Sequence, residues 1–194
     1  SMQSSSSHHP MIHSRRVCLF GGSFDPVHLG HTALAETVWL SDWQARWTAQ
    51  AAAEAALLRA RWPQFFCGRI EHFGSTAIPG MPAKPIIDLL VEVADLEQIR
   101  DQAAPLMAAE GYQLFWRPKV KGEQEIDYLW FIKRNAEGQR SHHLHMLTPD
   151  SEHWQKLIFC HYLQQHPLVA AEYARIKRQA AADFADDRQT QAGA

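Results

Sequence analysis

Cysteine is scarce in this 194-residue sequence: only Cys18, Cys67 and Cys160 occur, and no two of them form a Cys-x-x-Cys pair. So sparse and scattered a set argues against a disulfide framework or a zinc ribbon and favours free thiols in a reducing compartment. Long apolar runs are lacking too, since none approaches the roughly 18 residues that a membrane-spanning helix needs. We therefore expect a soluble, cytoplasmic protein that does not bind membranes.

An excess of positive charge is also missing. The formal net charge is −2 and the pI is about 6.6, so the sequence has no basic surface of the kind that binds nucleic acid. What the sequence does have is 46% hydrophobic and 21% charged residues, the balance of a globular domain. Residues 1–10 have the composition of a tag-like Ser/His leader, and residues 189–194 that of a flexible polar tail.

Hydrophobic periodicity predicts, after about residue 38, the order helix, strand, helix, two or three strands and then helices. The expected helices are Trp43–Arg61, Asp95–Glu110, His153–Gln165 and Pro167–Phe184. The expected strands are Ile86–Val93, Tyr112–Arg117, Glu125–Arg134 and Ser141–Leu147. This order is typical of an α+β fold with a mixed or antiparallel sheet that helices cover on one side.

A Gly-Ser turn, a lone lysine and a single carboxylate lie close together in residues 68–93. The Gly74-Ser75 turn presents backbone N–H groups and a hydroxyl, which suit a phosphate. Asp88, on the following apolar strand, suits a divalent cation such as Mg²⁺. Together they predict that the protein binds a nucleotide or another phosphorylated small molecule.

Two cationic and two hydroxyl side chains each have both a functional and a structural interpretation. Lys84 and Arg140 suit a phosphate oxyanion, or they are solvated surface charges. Ser75 and Thr76 suit a phosphate as well, or they form an ordinary helix N-cap. The two interpretations of the hydroxyls are compatible, because a capped helix terminus is itself an anion site.

Four segments in order carry a resemblance to a known family. They are Arg69-Ile-Glu-His-Phe-Gly-Ser-Thr-Ala-Ile-Pro-Gly80, Ala83-Lys-Pro-Ile-Ile-Asp-Leu89, Arg140-Ser-His-His-Leu-His145 and His166-Pro-Leu-Val-Ala-Ala-Glu-Tyr173 with Lys177. Together they resemble the GrpB family over about residues 38–188. The resemblance implies a nucleotidyltransferase fold of the polymerase-β type, with a mixed sheet flanked by helices.

The resemblance also indicates which carboxylates a catalytically active member would need. Active members of the wider superfamily bind two Mg²⁺ ions through two or three carboxylates. Leu90 occupies the place of the second acid, and Glu92 is about 13 Å from Asp88 along an extended strand, too far to share a metal. We therefore expect weak or absent nucleotidyl transfer, and nucleotide binding in preference to catalysis.

A histidine cluster offers a different set of ligands. Period-two alternation places His143 and His145 on one face of their strand and His142 on the other, and Asp127 could project toward the same surface as the first pair. Asp88, His143 and His145 are our predicted catalytic residues and the predicted ligands of one divalent metal (Mg, Mn or Zn). The alternatives are a polar pocket without metal, in which His142 also contacts the ligand, and a purely structural role.

A second motif, Gly21-Gly-Ser-Phe-Asp-Pro-Val-His-Leu-Gly-His31, lies upstream. It resembles the opening of the HxGH adenylyltransferases, such as nicotinate-nucleotide adenylyltransferase. The resemblance implies that Gly21, Gly22, Ser23, His28 and His31 contact ATP phosphates at the start of a helix. Residues 11–37 hold only one strand-helix unit, an appendage that cannot form the doubly wound sheet of that class. We therefore predict that this motif is inactive in the isolated chain.

Three functions remain open from the sequence. The first is a nucleotidyltransferase-fold protein that binds a nucleotide or phosphorylated metabolite, with or without a metal. The second is an adenylyltransferase that acts through His28 and His31. The third is a non-catalytic interaction domain whose working surface is the C-terminal helices and a tryptophan-rich first helix.

Overall fold

The computed structural model describes residues 40–192, with side chains up to residue 186. The upstream motif at residues 21–31 lies outside this range, so its predicted inactivity stays a prediction. The strands are β1 (Ile70–Phe73), β2 (Ile87–Glu92), β3 (Tyr112–Pro118), β4 (Ile126–Arg134) and β5 (Arg140–Leu147). The helices are α1 (Arg46–Arg61), α2 (Leu96–Gln98), α3 (Ala104–Ala108), α4 (Lys156–Gln165) and α5 (Pro167–Ala192).

Shorter turns connect several of these elements. A π-helical turn, Ile99–Ala103, joins α2 to α3, and Asp95 caps the start of α2 by accepting a hydrogen bond from the backbone N–H of Gln98. Single 3₁₀ turns lie at Ser75–Ala77, after β1, and at Glu152–Gln155, before α4.

The five strands form one mixed sheet in the order β1-β2-β5-β4-β3. β2 and β5 are parallel, and the other neighbouring pairs are antiparallel. The α+β class with a mixed sheet flanked by helices is therefore confirmed. The four predicted strands are present with ends shifted by one residue. β1 was not predicted, because it is four residues long and only half-buried at the sheet edge.

Helices cover both faces of the sheet. Leu89 of β2 belongs to the main core together with Trp47 and Leu58 of α1, on what we call the α1 face. Leu90 points the opposite way and packs with Leu157 of α4, on what we call the α4 face. The expectation that helices cover only one side is therefore wrong. Within residues 40–192, no helix combines the length and apolarity that crossing a bilayer requires.

Candidate metal and ligand site

Parallel pairing of β2 with β5 brings three potential metal ligands together on the α4 face. Asp88 lies opposite His143, and His145 follows two residues later on the same side of β5. Oδ1 of Asp88 is 3.5 Å from Nδ1 of His143 and 3.6 Å from Nε2 of His145. The structure thus brings together the three residues predicted as catalytic and metal-binding, whose chemical roles stay predictions.

The spacing of these three side chains suits one metal ion. One ligand atom from each residue lies within 4.8 Å of the others, and all three residues are buried. A tetrahedral zinc ion with ligands at about 2.1 Å holds those ligands about 3.4 Å apart, which is close to both distances from Asp88. The group could therefore bind a metal.

The electrostatics of the site favour a cation. Burial acts to raise the pKa of Asp88, but its polar contacts with His143 and His145 outweigh burial and lower that pKa to about 2. Burial lowers the pKa of His145, and the nearby carboxylate opposes that shift. At neutral pH the site therefore combines an ionised carboxylate with a neutral His145, the protonation states that metal binding requires. Oδ1 of Asp88 accepts no hydrogen bond within the described range, which leaves it available to a metal.

Tyr128 of β4 holds the ring of His145. Its hydroxyl lies 2.7 Å from Nδ1 of His145, and Nζ of Lys156 donates to the same hydroxyl over 3.2 Å. If Nε2 of His145 bound a metal, the remaining ring proton would be on Nδ1, and this N–H would donate a hydrogen bond to the hydroxyl of Tyr128. Such outer partners fix the tautomer and orientation of a metal-binding imidazole.

The predicted Gly74-Ser75 turn contacts a buried lysine from the last helix. Gly74 has a φ of 76°, a left-handed conformation that glycine adopts readily. Oγ of Ser75 accepts a hydrogen bond from Nζ of Lys177 over 2.6 Å. Burial lowers the pKa of Lys177 to about 8, and the charge of Asp88 limits the shift. Lys177 is therefore close enough to Asp88 for their charges to interact.

Thr76, the next residue in that turn, has partners within the fold. Its Oγ1 lies 2.9 Å from Nε2 of His72, and its carbonyl accepts a hydrogen bond from the indole of Trp43 over 3.1 Å. These contacts hold Thr76 within the fold, but the predicted helix N-cap is wrong, because Gly74 occupies the N-cap position of this turn and no side chain caps it. Its predicted phosphate contact stays a prediction.

Two predicted polar residues are directed away from the cluster. His142 lies on the α1 face, where its Nε2 is 3.9 Å from Oε2 of Glu54, so the sheet separates it from Asp88. Asp127 is exposed and accepts a hydrogen bond from Nε of Arg117 over 2.7 Å. The expectation that Asp127 projects toward the histidine pair is therefore wrong. Consecutive residues of a strand point to opposite faces, and Tyr128 is the one that points toward His145.

The two predicted phosphate-binding cations lie in different segments. Lys84 is half-buried in the loop that leads to β2. Arg140 begins β5 opposite Arg134, and its Nε is buried without a hydrogen bond to the described residues. Their binding of phosphate stays a prediction.

The position of the second carboxylate is apolar. Leu90 is fully buried and packs with Phe73 and Tyr128. Glu92, the next acid along this side of β2, is half-buried and forms an ion pair with Arg69, with Oε2 and Nε 3.1 Å apart. These contacts agree with the sequence argument against a pair of metals bridged by carboxylates of one strand.

Sequence reasoning missed Tyr128, Lys156 and Lys177 as members of the site. A signal for Lys177 existed: with Ala170 and Ala174 it follows the i, i+4, i+7 spacing of one helix face, and both alanines are buried. A lysine at a core position of an amphipathic helix indicates either a buried partner or a ligand. Tyr128 could not be assigned in this way, because a tyrosine among apolar strand residues is typical of any core.

Comparison with known proteins shows what the chain is similar to. The sequence model described as GrpB protein matches residues 37–192. UPF0157 protein YqkA from Bacillus subtilis is 40% identical over 118 residues, which are 60% of this chain and 32% of that protein. The glutamate-rich protein GrpB from Alkalihalophilus pseudofirmus is 32% identical over 119 residues, 61% of this chain and 67% of that protein. The match thus spans only about a third of the length of YqkA.

A solved structure gives the same result for the fold. The crystal structure of conserved protein GrpB from Enterococcus faecalis superimposes with a TM-score of 0.64 at 30% sequence identity, covering 76% of this chain and 86% of that one. The family match extends from before α1 to the end of α5 and includes every residue of the Asp88 cluster. This chain belongs to the GrpB family.

Proposed function

We propose that the chain binds one divalent transition metal through Asp88, His143 and His145 and, next to it, a nucleotide or phosphorylated metabolite. The observation that carries the proposal is the convergence of these three buried ligand atoms within 4.8 Å of one another. An ionised carboxylate in an apolar interior is costly unless a cation or hydrogen bonds compensate it. His143 and His145 already supply part of that compensation, and a metal ion bound between the three side chains would add to it.

The ligand types favour zinc or another imidazole-binding metal over magnesium. Two of the three ligands are imidazoles, which suit Zn, Cu, Fe and Ni, whereas Mg²⁺ prefers an octahedron of oxygens. Three protein ligands also leave a fourth position of a tetrahedral ion for water or a substrate oxygen. When bound, the metal would polarise such an oxygen.

Positive charge near the cluster supports a phosphorylated ligand. The charge of Asp88 acts on both Lys156 and Lys177, so two ammonium groups accompany a single carboxylate. We infer a sheet of the polymerase-β type from the Gly74-Ser75 turn that precedes the strand of Asp88. With Leu90 in the place of a second acid, ligand binding is the activity proposed first, and nucleotidyl transfer remains the weaker part of the proposal.

Titration of metals into two matched variants tests this function. Asp88→Asn removes the buried carboxylate, and Asp127→Asn removes an exposed one of the same size. Calorimetry with zinc, manganese and magnesium, followed by ADP in the presence of the best metal, should show binding in the wild type and in Asp127→Asn but little in Asp88→Asn. Equal metal binding by both variants, or no binding by the wild type at millimolar concentrations, would overturn the proposal.

A second candidate, a non-catalytic interaction domain, is favoured by the exposed surface of α4 and α5. Ile158 is 69% exposed and Leu168 is 88% exposed, which is high for large apolar side chains. Exposed large apolar side chains that lie together mark interaction surfaces, whereas single ones are ordinary. Sedimentation velocity tests this candidate when it is run across a concentration series for the wild type and for Leu168→Asp. A sedimentation coefficient that stays at the monomer value for both proteins at every concentration would contradict it.

A further inference from the structure

A row of side chains crosses the α4 face of the sheet and passes through the proposed metal centre. Leu90 of β2 lies beside His145 of β5. His145 in turn lies opposite Trp130 of β4, and Trp130 lies opposite Phe115 of the edge strand β3. Paired residues of neighbouring strands point to the same face, and neighbouring strands lie about 4.8 Å apart. Trp130 is therefore the immediate neighbour of a proposed metal ligand, and Phe115 lies about 10 Å from that ligand.

One half of this face is more open than the other. α4 packs Leu157 against Leu90 of β2, so the half of the face near β2 is covered. Leu90 and His145 are almost completely buried, whereas Trp130 and Phe115 are only half-buried. An antiparallel sheet commonly carries polar side chains where one of its faces meets water. Two large aromatic residues at the open end of the row therefore call for an explanation.

Ring contacts hold Trp130 in a fixed orientation. Its indole stacks on the ring of Phe115, with centroids 5.6 Å apart and ring planes inclined by 14°. The ring of Tyr128, whose hydroxyl lies next to His145, has its centroid 5.8 Å from that of the indole. Side chains that are already ordered lose little conformational entropy when a further ring packs on them. We call these three residues, Phe115, Tyr128 and Trp130, the aromatic cluster.

We propose that the aromatic cluster binds the base of a nucleotide whose phosphate lies at the metal centre. The inference rests on the proposed function, and it narrows the ligand there from any phosphorylated metabolite to one that carries a planar aromatic ring. Every nucleobase has a π face, so stacking on aromatic side chains selects nucleotides without selecting one base. A ribose separates the base of a nucleotide from its phosphate, and the aromatic cluster likewise lies beside the metal ligands rather than among them.

The charges around the aromatic cluster suit the same ligand. Arg117 lies two residues from Phe115, on the same face of β3, and its guanidinium is 5.8 Å from the ring centroid of Tyr128. Asp127 offsets part of this charge through an ion pair with Arg117. Lys156 donates a hydrogen bond to the hydroxyl of Tyr128. Two cations thus border the ring that connects the aromatic cluster to the metal centre, which favours an anion that carries a ring over an apolar peptide or a lipid chain.

AMP and ribose 5-phosphate serve as probes, because both carry a ribose and a phosphate and only AMP carries a base. Two tryptophans of the β3–β4 pair provide the variant and its control. Trp130→Leu removes the indole from the aromatic cluster, and Trp116→Leu removes a half-buried indole that packs against the main core on the α1 face. Binding is measured by calorimetry on the zinc-loaded chain, and zinc binding is measured separately for each variant.

Trp130→Leu should weaken AMP binding by about 5- to 150-fold, the effect of losing one stack between a base and an aromatic ring. It should leave the binding of zinc and of ribose 5-phosphate unchanged, and Trp116→Leu should bind all three as the wild type does. Trp130→Phe should keep most of the affinity for AMP, because a phenyl ring also stacks on a base. AMP should quench tryptophan fluorescence in the wild type and in Trp116→Leu, and less in Trp130→Leu.

The same measurements separate the base site from the function on which it rests. Wild-type affinity for AMP in Trp130→Leu would overturn the base site, and so would equal losses for AMP and ribose 5-phosphate, which would make Trp130 a structural residue. A wild-type chain that binds zinc and binds the two compounds equally well also contradicts the base site, but it leaves the metal and phosphate site standing. This comparison needs no variant, so it decides even where a variant does not fold. A chain that binds zinc but neither compound contradicts the proposed phosphorylated ligand and the base site with it.

Discussion

Replacing Tyr128 by phenylalanine is the sharpest test of the metal centre, because it deletes one hydroxyl and keeps the ring. The hydroxyl lies 2.7 Å from Nδ1 of His145, and it is the group that holds this imidazole in position to present Nε2 to Asp88. Loss of such an outer partner lowers metal affinity by about 10- to 100-fold, which is about 1.4 to 2.7 kcal/mol.

Tyr112 offers a matched control on the opposite side of the sheet. Its hydroxyl is also buried and donates a hydrogen bond to Glu54, on the α1 face. Tyr112→Phe should lower the free energy of unfolding by about 1.5 to 3 kcal/mol, the effect of a lost hydrogen bond to a charged group. Its zinc affinity should stay within about twofold of the wild type, since the sheet separates it from Asp88.

Competition with a chromophoric chelator gives the zinc affinity, and urea unfolding of the metal-free chain gives the stability. The expected pattern is a large loss of affinity in Tyr128→Phe and a loss of stability without loss of affinity in Tyr112→Phe. If Tyr128→Phe binds zinc as tightly as the wild type, His145 is not a metal ligand held by Tyr128. If both variants lose affinity equally, the effect reflects general loosening of the fold.

Further predictions concern stability. Zinc at about 100 times its dissociation constant should add about 2.7 kcal/mol to the free energy of unfolding, an effect that a chelator reverses and that Asp88→Asn lacks; a wild-type melting temperature unchanged by zinc would contradict it. Burial lowers the pKa of Lys177 from 10.5 to about 8, so between these pH values the unfolded chain binds more protons. The contribution of Lys177 to stability should therefore rise with pH, by at most about 3.4 kcal/mol, and urea unfolding should show this rise in the wild type relative to Lys177→Met. Mutation to alanine should affect two leucines differently. Leu157→Ala should lower the free energy of unfolding by about 2 to 5 kcal/mol, because Leu157 is only 8% exposed. Leu168→Ala should lower it by under about 0.5 kcal/mol, because Leu168 is 88% exposed.

Local sequence patterns predicted the parts of the fold that depend on neighbours in the chain. The apolar run that holds Asp88 is buried on both faces, so its strand was evident without a partner. Alternation along β5 also separated His142 from His143 and His145 correctly, because side-chain direction in a strand depends only on parity. Asp127 shows where this reasoning stops. Alternation says that Asp127 and Tyr128 point to opposite faces of β4, but not which of the two faces holds the histidines of β5.

The remaining members of the site depend on contacts between distant segments. Lys177 reaches Ser75 across 102 residues of sequence, and Lys156 reaches Tyr128 across 28. Both contacts exist because α4 packs on the second face of the sheet and α5 packs against α4 and the segment after β1, and no periodicity in either helix says what it packs against. β1 was missed for a related reason, since a four-residue edge strand gains its stability from pairing with β2 rather than from its own composition.

The position of β5 has a consequence for how the protein is made. β1 and β2 pair with each other, as do β3 and β4, but both pairs precede β5 in the chain, and β5 fills the gap between them. Until about residue 147 has left the ribosome, β2 and β4 therefore expose unpaired edges, which are templates for pairing with another chain. β5, the last of the five described strands, also carries His143 and His145, so the proposed metal site is incomplete until the sheet is complete. Metal binding would thus mark the moment at which these edges are no longer open to aggregation.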